Sequence, residues 1–217
     1  MCSILALLDL IADPATLRPL ALDLSRRQRH RGPDWSGIYA DDRALLAHER
    51  LSIVDINGGA QPLRSADGRL ILAVNGEIYN HRELRERFAA YPFQTGSDCE
   101  VILALYEHYG PENAAEWLNE LDGIFAFVLW DTTAGRYLVG RDPIGVIPLF
   151  WGRDDDGQLV IASEMKSLHD VCRRFEPFPP GHFASAIAGD ATARADATAP
   201  YYQPAWRDRK VTVGVEA

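Results

Sequence analysis

The chain is poor in the residues that staple proteins, anchor them in membranes or attach them to nucleic acid. Three cysteines in 217 residues, Cys2, Cys99 and Cys172, are too scattered for a disulfide framework or a CxxC metal site, which fits a reducing, cytoplasmic setting. His30 stands among Arg29, Arg31 and Asp34 with no second His or Cys at ligand spacing, so it reads as part of a polar loop and no metal is expected. No apolar stretch reaches transmembrane length. The N-terminal CSILALLDLIA lacks a basic flank and is interrupted or followed by Asp9 and Asp13, so it makes a poor signal peptide, and no membrane partner is expected. No run of Lys or Arg is longer than Arg26-Arg27, and a formal charge of −9 argues against a nucleic-acid partner. A GxxxxGK[ST] phosphate loop is missing as well, and no internal repeat is found.

What is present is enough for one large core, since 47% of the residues are hydrophobic. Short runs rich in β-branched or aromatic residues predict strands at Ser3–Leu8, Ala44–His48, Leu70–Val74, Ile124–Trp130, Tyr137–Gly140, Pro148–Gly152 and Leu159–Ala162. The turn clusters 131–135 and 154–157 mark antiparallel hairpins among the later ones. Helices are expected around Leu17–Arg29, with the regular part starting at Pro19, and after two capping-box patterns, Asn80 with Glu83 and Ser97 with Glu100. The second of these carries Val101, Leu105 and Tyr109 on one side and stops at Gly110-Pro111; a fourth helix holds Ala114, Trp117 and Leu121. The order supports an α+β fold: two largely antiparallel sheets with helices outside them. After about Pro177 the pattern fades, and Gly189–Ala199 reads as a polar loop or linker.

Cys2 is the residue with the most chemistry. Removal of Met1 would place a thiol and a free α-amine on one residue, and an α-amine with a pKa of about 7.7–8.0 suits a general base near neutral pH. The plainer alternative is a small buried hydrophobe at the start of a strand. Thiolate attack on an amide makes an oxyanion, for which the Asn75 amide and the Gly76 N–H are candidate donors; Asn75-Gly76 also fits a type I′ hairpin turn. However, Glu77-Ile78-Tyr79-Asn80-His81 leads into a helix cap and not into a partner strand. Arg50, just after a strand, suits an α-carboxylate, or else a surface ion pair with Glu49 or Asp55. Glu77 and Asp98 could accept an α-ammonium, Asp98 alternatively serving a helix dipole, and the backbone of Leu51, Ser52, Ile53 and Val54 could finish the wall.

These segments resemble a known family. Met1-Cys2-Ser3-Ile4, 29–34 (RHRGPD), 49–55 (ERLSIVD), 75–80 (NGEIYN), 96–100 (GSDCE), 121–126 (LDGIFA), 140–145 (GRDPIG) and 162–166 (ASEMK) are similar to the class II glutamine amidotransferase domain. Their wording is that of glutamine-hydrolysing asparagine synthetases of the bacterial B type. The resemblance implies an N-terminal-nucleophile hydrolase, a four-layer α/β/β/α sandwich, over residues 2–206, with 207–217 as a tail. It further implies that Cys2 attacks L-glutamine to form a thioester, with Asn75 and Gly76 holding the oxyanion. Arg50, Leu51 to Val54, Glu77 and Asp98 would bind the substrate. Ammonia would pass to a synthetase domain or partner chain that uses ATP and Mg to amidate aspartate; this chain stops before the SGGxDS-type loop of such a domain and needs no cofactor itself. By the same resemblance, residues around Arg31, Leu121 and the tail after Tyr201 would face that domain, leaving an apolar patch that favours self-association into a homodimer. The competing expectations are an uncoupled, non-catalytic glutamine-binding or interaction module, and the amidotransferase domain of another class II enzyme.

Overall fold

The computed structural model describes residues 1–53, 55, 58–189 and 197–204. In chain order the elements are β1 (Ser3–Leu8), α1 (Pro14–Arg26), β2 (Trp35–Ala40), β3 (Ala44–Arg50), β4 (Leu63–Arg64), β5 (Leu70–Ile78), α2 (His81–Arg87), α3 (Val101–Tyr109) and α4 (Ala114–Trp117). They continue with β6 (Gly123–Asp131), β7 (Arg136–Arg141), β8 (Phe150–Asp154), β9 (Leu159–Ala162), β10 (Cys172–Pro177), β11 (His182–Ile187) and β12 (Ala199–Pro200). One sheet runs β10-β8-β9-β1-β3-β2 and the other β12-β11-β7-β6-β5-β4, with every pairing antiparallel.

Alternation along the strands assigns each face. Ile4, Ala6 and Leu8 of β1, Ala44 and Leu46 of β3, Ile71 and Ala73 of β5, and Ala126, Val128 and Trp130 of β6 fill the layer between the sheets. Their neighbours face outward: Leu5, Leu7, Leu45 and Ala47 pack on Leu17, Ala21 and Leu24 of α1. On the other side Leu72, Val74, Phe125, Phe127 and Leu129 pack on α3 and α4 through Ile102, Leu105 and Trp117. The layers are therefore α/β/β/α. Strands covered on both faces must be apolar throughout, which is why β1, β5 and β6 are plain in the sequence.

Several expectations are corrected. Helix α1 begins at Pro14 and keeps Pro19 inside, because Asp13 caps it by accepting the Ala15 N–H at 2.8 Å and Pro14 is suited to the first turn. Neither capping box forms. The Asn80 amide donates to the Glu120 carbonyl at 2.8 Å, and the Ser97 hydroxyl does not cap its helix. Glu100 is fully buried and accepts from the N–H groups of Gln94 and Thr95, so its charge organises the loop before α3. The strand expected at Pro148–Gly152 runs Phe150–Asp154. Asn75-Gly76 is not a turn but lies inside β5; a Cβ on Gly76 would lie 2.2 Å from the Ile124 carbonyl oxygen, so the residue is small because β6 passes close. Leu121, expected near the face turned to a partner domain, is itself buried against the helix-side core, and Tyr201, where the tail starts, packs on the same core. Trp206 and the tail 207–217 lie outside the described residues. Among the described residues no helix is long and apolar enough to cross a membrane.

Candidate active site

Following the inward faces two residues past the apolar layer leads from Ile4 to Cys2, from Leu46 to His48 and Arg50, from Ala73 to Asn75, and from Ala126 to Ile124. In the β1–β3 register Ile4 lies opposite His48, which puts Cys2 near Arg50. One cavity collects Cys2, Arg50, Leu51, Ile53, Asn75, Gly76, Glu77 and Asp98, with Met1, Ser97, Ile124 and Ile147 on its wall. Ser52 is not on that wall, because its N–H donates to Asp34 Oδ2 at 2.8 Å, and Val54 lies outside the described residues.

The Cys2 thiol donates to the Leu51 carbonyl at 3.5 Å while its sulfur accepts the Leu51 N–H at 3.3 Å. Burial pushes its pKa up; the Leu51 N–H, the chain terminus and the Arg50 charge pull against it without winning. At neutral pH the thiol therefore needs a base. The Cys2 carbonyl accepts from Arg31 Nε at 3.1 Å, and Arg31 is paired with Glu164 at 3.1 Å, so the backbone of Cys2 is held from the α1 side. His30, on the same Glu164 at 2.9 Å, is part of this polar cluster.

Strand β5 supplies donors because its outer partner stops short. Strand β4 pairs with it only at Leu72 and Ile71. Beyond that point the Val74 N–H and carbonyl meet the Gln61 side chain at 2.8 and 2.9 Å, and the Ile78 N–H meets Asp98 Oδ2 at 2.7 Å. Alternate residues of a strand turn their backbone groups to the same edge, so the Gly76 N–H points out between these two capped positions. Beside it the Asn75 amide is buried, and its Nδ2 has no hydrogen-bond partner among the described residues. A buried, unmatched donor next to a thiol is a place prepared for an acceptor oxygen.

Arg50 is buried, its Nη2 donating to the Asp55 carbonyl at 2.6 Å, while Glu49 turns the other way to Ser25 and Ser36. Asp98 is buried and lines the same cavity, as does Glu77. Neither a surface ion pair for Arg50 nor a bare helix-dipole role for Asp98 describes these positions. The Asp55 carboxylate accepts the Gly58 and Gly96 N–H groups at 3.1 and 2.8 Å, joining the loop after Arg50 to the one before Asp98. A guanidinium from one sheet and carboxylates on or bonded to a strand of the other match the two ends of an amino acid. Sequence reasoning missed His48, Gln61 and Ile147: period-two counting back from Arg50 finds the first, whereas the others arrive on loops without a signal.

Two antiparallel sheets between helices, with Cys2 just ahead of a central strand, make the four-layer sandwich of the N-terminal-nucleophile hydrolase fold. The chain belongs to the glutamine amidotransferase domain family, whose model matches residues 1–192. It is 54% identical over 209 residues to Escherichia coli (strain K12) asparagine synthetase B [glutamine-hydrolyzing], covering 96% of this chain and 36% of that protein. It is 48% identical over 211 residues to Arabidopsis thaliana asparagine synthetase [glutamine-hydrolyzing] 1, covering 97% and 34%. The chain thus spans about a third of these relatives. Among solved structures, glutamine phosphoribosylpyrophosphate amidotransferase from B. subtilis superimposes with a TM-score of 0.75 at 21% identity, covering 94% of this chain and 50% of that one, a likeness of fold.

Proposed function

We propose that this domain hydrolyses L-glutamine to L-glutamate and ammonia through Cys2. The observation that carries the reading is Asn75 Nδ2, a buried donor unmatched among the described residues, on a residue lining the same cavity as Cys2. With Met1 removed, the Cys2 amine takes the thiol proton as sulfur attacks the side-chain carbonyl carbon. The Asn75 amide and Gly76 N–H hold the oxyanion. The C–N bond breaks, the amine returns the proton to the leaving ammonia, and a thioester remains. Water, deprotonated by the same amine, then releases glutamate and the thiol. Arg50 grips the α-carboxylate, Glu77 and Asp98 the α-ammonium, and Leu51 and Ile53 line the pocket.

The names of the similar proteins support asparagine synthesis as the use of the ammonia. A synthetase domain or partner chain would bind ATP and Mg and amidate aspartate; no residue of this chain is assigned to those cofactors. Ile144, 82% exposed, and Val146 stand on a loop whose N–H groups at 144–147 all bond the Asp142 carboxylate, which supports a rigid apolar docking point there.

One observation favours the idle, glutamine-binding reading. With Met1 on its wall the cavity measures about 70 Å³, well below an ordinary ligand pocket. Intact mass of untagged protein, followed by an ammonia assay, separates the two. Loss of Met1 with glutamine-dependent ammonia release, abolished by Cys2→Ala and Cys2→Ser in folded protein, is the expected result, with a glutamine-like alkylating agent mapping to Cys2. Undiminished ammonia release by Cys2→Ala would end the proposal.

A further inference from the structure

Taking the glutaminase reading as its basis, we infer that His48 and Gln61 are positioning residues that clamp the Val74 peptide and thereby aim the Asn75–Gly76 donors at Cys2. The nucleophile and Arg50 belong to the β1–β3 sheet, the donors to the β5–β6 sheet, so catalysis depends on a spacing between two sheets. Apolar side chains fill that gap and fix it without direction. His48 crosses it: Nε2 lies 2.9 Å from the Val74 carbonyl oxygen, which can only accept, so the ring donates through Nε2. The same carbonyl accepts from Gln61 Nε2 at 2.9 Å, and Gln61 Oε1 receives the Val74 N–H at 2.8 Å. Gln61 therefore does the work of the absent strand beyond β4, at the residue just before Asn75.

Two features show that His48 is not there for packing alone. It is fully buried, and its Nδ1 has no partner among the described residues, a cost that an aliphatic side chain would not incur. Burial, with a smaller push from Arg50, lowers its pKa to about 4 against the Val74 bond, so the ring is neutral at working pH and keeps a single, fixed donor. The clamp touches neither substrate nor sulfur; it acts through the backbone.

The test uses untagged protein with Met1 removed. His48→Phe keeps a ring and loses the donor, whereas His48→Gln places an amide N–H near the position of Nε2. For His48→Phe, kcat for glutamine should fall on the order of 10- to 100-fold with KM unchanged. Inhibition by glutamate γ-semialdehyde, whose thiohemiacetal oxygen needs the same donors, should weaken by the same factor, while iodoacetamide alkylation of Cys2 keeps its rate. His48→Gln should recover most of both losses. If His48→Phe does not fold, Gln61→Met carries the test with the same readouts. Unchanged kcat and aldehyde affinity in a folded clamp variant, or losses in kcat and KM together that His48→Gln does not recover, overturn the clamp. Wild-type protein with a free Cys2 amine and no ammonia release would instead overturn the glutaminase reading itself, and the clamp with it.

Discussion

The layer between the two sheets ends differently at its two ends. At one end Trp130 Nε1 donates to Asp41 Oδ2 at 2.6 Å, and Asp41 also accepts from the Tyr39 hydroxyl and the Arg43 and Ala44 N–H groups, so the charge is surrounded by donors. At the other end the same strands present Cys2, His48, Arg50 and Asn75, and the polar atoms His48 Nδ1 and Asn75 Nδ2 are buried without partners among the described residues. The strands and their registers are shared; what differs is whether polar groups are matched. One end stabilises, and the other holds its binding capacity unspent.

The comparison breaks if mutations at the two ends have the same signature. Trp130→Ala should cost about 3–5 kcal/mol in urea or thermal unfolding while kcat/KM of the folded protein is unchanged. Asn75→Ala should lower kcat by about 100- to 1000-fold, on the order of 3–4 kcal/mol, and move the urea midpoint much less than Trp130→Ala does. The third prediction concerns pH. His48 falls from 6.5 to about 4 on folding, so between those values the unfolded chain takes up a proton that the folded one refuses. Stability should therefore decline as pH drops from 6.5 towards 4, by about 3 kcal/mol in total, and His48→Gln should flatten that limb in urea titrations at successive pH values.

How much of this was legible depended on burial. Strands β1, β5 and β6 are apolar on both faces and were readable, and so was the cluster of Cys2, Arg50, Asn75 and Asp98, since the resemblance spans all four. Strand β2 is half-exposed, β10 (CRRFEP) is a polar edge with a bulge at Cys172–Arg174, and β11 carries small residues, so none shows a strong period. The two failed capping boxes have a common cause: groups outside the helix end take the capping side chains, the Glu120 carbonyl for Asn80 and the N–H groups of residues 94–95 for Glu100. Gly76 read as a turn because a glycine demanded by a passing strand looks the same as one demanded by a bend.

The central place of β1 has a consequence for synthesis. Its neighbours are β3 and β9, with Leu5 opposite Ala162 and the Ile4 N–H bonded to Ser163 Oγ at 3.0 Å. Its partner β9 thus lies more than 150 residues further along the chain, roughly 8–30 s later at about 5–20 residues per second. Until then its sheet lacks the β9 side, and the Arg31–Glu164 pair that holds the Cys2 carbonyl cannot form, so the seat of Cys2 is among the last parts of the domain to be completed.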